Sequence, residues 1–180
     1  MLTPAPYDAW VDKTSTLVGN TLYWLFGPNR ILEFDLDGQG LSVIPGPPLV
    51  TNDFRHEHRQ IVQAENGAVG YAVFSYPHFQ MWLRNVNGHG LATWVPWKTI
   101  EMDSILGLPP RIEGEMGWEQ VIKGYEEDTD VIFLKVNGSV YMVEMKTMKS
   151  QKLDGTFTGS CHPFRSFYTP GDCSSLVLIL

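Results

Sequence analysis

Cysteine is scarce in this sequence. Cys161 and Cys173 are the only two in 180 residues, which excludes a disulfide framework. One bridge between them stays open as a reading, and two reduced thiols of an intracellular protein is the plainer one. Basic clusters are missing too. The 13 Lys and Arg are scattered and outweighed by 20 Asp and Glu, for a net charge of −7. Binding nucleic acid through its phosphates needs a basic stripe, so nucleic acid is not an expected partner. The acidic balance serves solubility. Long apolar runs are also lacking. The C-terminal Leu176-Val177-Leu178-Ile179-Leu180 falls far short of the roughly 20 residues that cross a bilayer, so no membrane partner is expected. It reads as a last strand that has to pair with something, because an open apolar strand aggregates. Met1-Leu2-Thr3-Pro4-Ala5-Pro6 has neither the basic start nor the apolar core of a signal peptide, and cytosol or nucleus is the expected location. There is no Gly-rich phosphate loop, no Gly-x-Ser-x-Gly elbow and no paired catalytic carboxylates. Neither an enzymatic activity nor a cofactor is expected.

What is present is turn chemistry and aromatic residues. The chain has 17 Gly and 12 Pro, with six Trp, seven Tyr and nine Phe, a composition that suits many short strands better than long helices. Hydrophobic residues make up 43%, enough for one domain with a core. The stretch Leu17–Pro48 sets the pattern. Apolar runs at Thr21–Phe26, Ile31–Leu36 and Leu41–Ile44 are separated by Gly27-Pro28-Asn29-Arg30 and Asp37-Gly38-Gln39-Gly40, and Pro45-Gly46-Pro47-Pro48 stops the last. This is the signature of antiparallel strands joined by tight turns. In Leu32-Glu33-Phe34-Asp35-Leu36 strict alternation predicts Leu32, Phe34 and Leu36 on the buried face and the carboxylates on the other.

The rest of the chain repeats the theme. Residues 1–14 are a lead-in, with Tyr7 and Trp10 expected to pack on the first sheet. A polar linker covers 49–59 and ends Phe54-Arg55-His56-Glu57-His58-Arg59. A second module starts at Gln60, with turns at Asn66-Gly67, Tyr76-Pro77-His78 and Asn87-Gly88. In it Phe79, Met81 and Leu83 share one face, opposite Gln80, Trp82 and Arg84. Pro96 interrupts Thr93–Met102, which predicts an edge strand or a bulge there, and Glu101–Leu106 is expected to form one helical turn. A third module follows a loop at 107–118. Its strands are Val121–Tyr125, Val131–Val136, Val140–Met145 and Met148–Leu153, with the clearest hairpin turn at Asn137-Gly138. One more strand is expected within Cys161–Pro170. The modules therefore span about 15–48, 60–106 and 119–153. Their centres, Gly19-Asn20-Thr21-Leu22-Tyr23-Trp24, Asn66-Gly67-Ala68-Val69-Gly70-Tyr71 and Asn137-Gly138-Ser139-Val140-Tyr141-Met142, repeat loosely. The predicted fold is all-β: antiparallel sheets arranged as a partial, open β-propeller of about three blades. A two-sheet sandwich explains the same strands and ranks second, because it does not need modular spacing.

The order of these pieces resembles the F-box-associated domain of plant F-box proteins, particularly the large grass families. The matching segments include Gly19-Asn20-Thr21-Leu22-Tyr23-Trp24-Leu25, Ile31-Leu32-Glu33-Phe34-Asp35-Leu36, Met81-Trp82-Leu83 and Thr99-Ile100-Glu101-Met102. Gly124-Tyr125-Glu126-Glu127, Val140-Tyr141-Met142-Val143-Glu144-Met145-Lys146 and Ser166-Phe167-Tyr168-Thr169-Pro170 continue the order. The resemblance covers about 15–170 and leaves 171–180 as a tail. It implies a protein-binding module that recognises the substrate of an SCF-type ubiquitin ligase and leaves the chemistry to partner subunits. The partner is then a substrate protein of unknown identity. A Skp-type adaptor is a partner only of a longer form, because no F-box-like helical stretch precedes the first module. On this reading the chain is truncated, with the first module as the first surviving blade of a larger domain. Alternatives are a β-rich glycan-binding protein or hydrolase, with Trp97 or Tyr76 meeting two carboxylates, and a non-functional truncated paralogue.

His56 and His58 alternate around Glu57, but a zinc site needs at least a third ligand, so a solvated linker and no metal is the expectation. Cys161 and His162 are adjacent and would point to opposite faces of a strand, which excludes a nucleophile–base pair. Glu126-Glu127-Asp128-Thr129-Asp130 lacks the order of a calcium loop. As a partner-facing patch for a basic segment, Glu126, Glu127 and Asp128 are candidates. Among the aromatics, Trp24 and Trp82 read as packing. Tyr76 and Trp97 are the candidate binding anchors, with Trp97 on an expected edge.

Overall fold

The computed structural model of the protein describes residues 11, 14–48, 58–64, 67–109, 119–154, 162–164 and 177–179. They form three four-stranded antiparallel sheets, one small two-stranded sheet and a single short helix. The chain divides into two compact units, Met1–Glu101 and Met102–Leu180. The all-β expectation with about three blade-sized modules holds. The lead-in of Tyr7 and Trp10, His56, Cys161 and Cys173 lie outside the described residues.

In the first unit, sheet one runs β1 (Thr16–Val18), β2 (Thr21–Phe26), β3 (Arg30–Asp35) and β4 (Gly40–Pro45) in sequence order. Sheet two follows with β5 (Arg59–Gln63), β6 (Val69–Ser75), β7 (His78–Val86) and β8 (Ala92–Glu101). Within each of these sheets successive strands are neighbours, as short turns rich in Gly, Pro, Asn and Asp require. Val18, Tyr23, Leu25 and Ile31 of sheet one pack with Ile61, Val69, Tyr71 and Val73 of sheet two. Ile44, Trp82 and Trp94 close over this core. The expected split of β7 is present: Phe79 and Met81 are buried on one face, while Trp82 on the other packs into the core between the sheets.

One face assignment is corrected. The register pairs Leu25 with Ile31 and Tyr23 with Glu33. Ile31 is fully buried and Leu36 is 41% exposed. The inner face of β3 is therefore Ile31–Glu33–Asp35, and Leu32, Phe34 and Leu36 look outward. Alternation alone fixes which residues share a face but not which face meets a partner. What tips the choice is sheet two. Arg84 Nη1 donates to Glu33 Oε2 at 2.8 Å, and Ser42 Oγ donates to Glu33 Oε1 at 2.6 Å. With both oxygens bonded, a carboxylate can occupy the inner face.

The linker is corrected at its end. His58 and Arg59 are buried, and Arg59 opens β5. It is not solvated, because its guanidinium donates to the Pro28 carbonyl and, at 3.3 Å, to the Tyr71 hydroxyl.

In the second unit, α1 (Met102–Leu106) is the expected helical turn. β9 (Gln120–Glu126), β10 (Val131–Val136), β11 (Ser139–Glu144) and β12 (Lys149–Leu153) form sheet three. β10 is central, and Val131–Leu134 and Val136 are buried from both faces. Val131, Phe133 and Val140 form a core with Met142 and Leu153 against it. The β10–β11 hairpin turns on Asn137 and Gly138 at φ of 49° and 82°, the left-handed pair of a type I′ turn. β13 (His162–Phe164) pairs with β14 (Val177–Ile179), so the terminal apolar strand does find a partner.

Candidate protein-interaction surface

The site residues singled out from sequence fall in separate places. Trp97 lies on β8, the outer edge of sheet two. The register jumps from Met81↔Lys98 to Trp82↔Pro96, which leaves Trp97 as the extra residue of a bulge. Pro96 cannot donate to a ladder, so both the edge position and the bulge follow from it. The Trp97 ring is half-buried, with Lys98 Nζ 4.9 Å from its centroid. A bulge turns a side chain out of the regular pleat. The result is a flat aromatic surface with a cation over one face.

Tyr76 is different. It is 2% exposed and packs edge-on to Phe74, with ring centroids 6.4 Å apart. Its placement in the β6–β7 turn after the buried strand β6 puts the ring inside rather than on a rim. It is a packing residue and offers no surface to a partner or a sugar.

Glu126, Glu127 and Asp128 stand together where β9 turns toward β10. Glu126 is used internally: its Oε2 accepts from the Thr129 amide at 2.8 Å and from the Thr129 hydroxyl. Tyr125 donates to Asp130 Oδ1 at 3.0 Å across the same turn, and Asp130 takes a φ of 56°. Asp128 is exposed. The turn is thus held by its own acids, and Asp128 is the member most open to a basic partner. Among the described residues no group of three or more His, Cys, Asp or Glu is placed to hold a metal ion, and no helix is long and apolar enough to cross a membrane.

The polar structure of the first unit was not found from sequence. Trp94 Nε1 donates to the Pro45 carbonyl at 2.9 Å, and its ring stands edge-on to Tyr71 at 5.9 Å. Arg59 is 2% exposed beneath them. Burial pushes the Tyr71 phenol above its ordinary value, and the Arg59 charge pulls against that rise. The Tyr23 phenol is also raised, by burial first and by the Glu33 charge second. Thr16 Oγ1 donates to the Ile61 carbonyl at 3.0 Å. These bonds align the two sheets, and with them β8 and Trp97. The hint in the sequence is Arg59 at the end of the charged segment, and its burial depends on a carbonyl thirty-one residues away.

Residues 5–171 match the model of one family, described as F-box protein AT5G49610-like, beta-propeller. The chain belongs to this family. No curated protein and no solved structure matches it significantly. As a member of a β-propeller family, its four-stranded antiparallel sheets are blades in size and topology. The sequence reading of an F-box-associated β-propeller domain stands.

Proposed function

We propose that this chain is a protein-binding module of the substrate-recognition kind, serving an SCF-type ubiquitin ligase and contacting its partner at the β8 edge around Trp97. The observation that carries the reading is the family match across residues 5–171. A propeller domain presents loops and strand edges to other proteins, and the F-box named in the family description supports a link between that binding and ubiquitination. The geometry of Trp97 supports the choice of surface. Tryptophan is among the side chains that carry most of the binding energy of protein interfaces, and β8 is an edge, not a packed centre.

The module binds and does not catalyse; ubiquitin transfer belongs to other subunits. Its partner is a protein held as a substrate, in the cytosol or nucleus. Crosslinking of the tagged chain in cells tests the reading. Trp97→Ala is expected to lower the yield of its main partner by about tenfold, the effect of losing one interface anchor, with the melting temperature unchanged. An unaltered set of partners would reject this surface. Partners that show no ubiquitination linked to the chain would reject the ligase role while leaving the binding surface intact. A Skp-type adaptor is expected to be captured by a product that carries an F-box and not by residues 1–180 alone.

A further inference from the structure

Asn-Gly steps occur in the chain at Asn66, Asn87 and Asn137. Asn66 lies outside the described residues. The other two each open a hairpin turn, but the turns treat the asparagine side chain differently. Asn87 begins the connection 87–91 between β7 and β8. Its amide donates to the Leu91 carbonyl at 3.0 Å, and the Gly90 amide donates to the Asn87 carbonyl at 2.9 Å. The side-chain oxygen is held as well. Asn87 Oδ1 accepts from the His89 amide and from the Leu91 amide, each at 3.0 Å. Asn87, Gly88 and His89 are all exposed to water. A Cβ built on Gly88 would meet nothing within 4 Å, so the peptide there is open on the side-chain side. At Asn137 the hydrogen bond is the backbone's own, from its amide to the Glu119 carbonyl at 2.8 Å, and no donor to its Oδ1 is found among the described residues.

We propose that Asn87 is a site of self-catalysed deamidation, with the His89 and Leu91 amides acting as an oxyanion hole. The Gly88 nitrogen attacks Asn87 Cγ and closes a five-membered succinimide. The Cγ–Nδ2 bond breaks, and Nδ2 leaves as ammonia with the proton given up by Gly88. Water then opens the ring at Cγ to give aspartate, or at the backbone carbonyl to give isoaspartate. Nothing is oxidised or reduced, and water is the one co-reactant. Negative charge develops on Oδ1 when the nitrogen adds, and two fixed N–H donors already point at that atom. Glycine at the next position leaves the attacking nitrogen unshielded. The aspartate product stays in the same two hydrogen bonds, now strengthened by its charge. It adds one negative charge to a chain whose net charge is −7. The isoaspartate product behaves differently. Its backbone runs through the former side chain, and the carbonyl that the Gly90 amide holds becomes a free carboxylate. The tip of the β7–β8 hairpin then loses its closing geometry. This inference does not depend on the binding role of Trp97.

Peptide mapping by mass spectrometry tests it, on the full chain aged at mildly alkaline pH, folded and in urea. Deamidation adds about one dalton, and isoaspartate separates from aspartate by retention time. In the folded chain Asn87 is expected to convert at least about tenfold faster than Asn137, a modest share of what one oxyanion donor contributes in an enzyme. In urea, where both are plain Asn-Gly steps, the two rates should converge. Gly88→Ala places a methyl beside the attacking nitrogen and is expected to slow the Asn87 reaction by about tenfold. The site has room for that methyl, so the melting temperature should hold. Folded-state rates that are equal at Asn87 and Asn137 overturn the proposal. So does an Asn87 that reacts faster in urea than in the folded chain, since the turn then protects the side chain. A rate unmoved by Gly88→Ala also overturns it, because the Gly88 nitrogen is then not the nucleophile.

Discussion

Glu33 and Arg84 show how a single pair decides which way a sheet faces. Their side chains are 21% and 19% exposed, and Glu33 also accepts from Ser42. Removing one partner leaves the other short of water and of a counter-charge, which costs more than the pair itself contributes. Glu33→Ala is expected to lower the unfolding free energy by about 1–3 kcal/mol in urea titrations. Adding Arg84→Met should recover part of that loss, because the stranded cation is gone; no recovery would mean that the pair adds nothing to the packing. Tyr71 gives a prediction in pH. Its phenol is held above the ordinary value by burial, so the folded chain keeps the proton after the unfolded chain has lost it. The stability this confers is complete below about pH 10 and falls as pH rises from there toward the folded value. Stability measured from pH 8 to 11 should drop more steeply in the wild type than in Tyr71→Phe, even though Tyr71→Phe starts lower for want of the Arg59 acceptor.

Turns and close approaches govern the elements. Gly70 sits in the buried middle of sheet two, where a Cβ would lie 2.8 Å from Val62 Cγ2 and 3.2 Å from the Val62 carbonyl oxygen. Gly70→Ala is expected to cost about 1–3 kcal/mol by overpacking. Val62→Ala in the same chain should return part of it, since only the contact with the side chain is relieved; chemical denaturation of the single and double variants reads both effects. Open space surrounds Gly138, so its role is conformational. At φ of 82° an alanine is strained, and Gly138→Ala should destabilise the second unit by about 1 kcal/mol. The strands themselves were readable. Asn137-Gly138, Pro96 and the alternation along β7 act through neighbours a few residues away, and the structure places each where the local chemistry puts it. Trp97 was legible as an edge residue for the same reason. Tyr76 was not legible as a buried one, because burial depends on what packs over the turn.

At the scale of the molecule, net charge sets how strongly copies repel one another. The net charge is −7 and the isoelectric point about 5.1. Repulsion between copies therefore fades near pH 5 and is substantial at pH 8. Self-association followed by light scattering at low ionic strength should strengthen as pH falls from 8 toward 5. At pH 8 added salt should strengthen it too, through screening. An association unmoved by either change would show that net charge has no part in how copies meet. The family match extends over residues 5–171, across both compact units, so the propeller character belongs to the chain and not to one sheet.

The sequence by itself determined the class of fold, the number and order of the blade-sized modules, the hairpin turns and the bulged edge at Trp97. Each of these is set by forces between residues close in the chain: turn geometry, the period of two along a strand, the missing N–H of proline. The tertiary structure alone decided which face of β3 is the inner one, that Arg59 is buried and that Tyr76 is packed away. These choices depend on groups brought from a distance. Arg84 comes from fifty-one residues away to hold Glu33, and the Pro28 carbonyl from thirty-one to hold Arg59. Until those partners arrive, either face of an amphipathic strand can turn inward, and a charged segment before a strand is indistinguishable from a solvated linker.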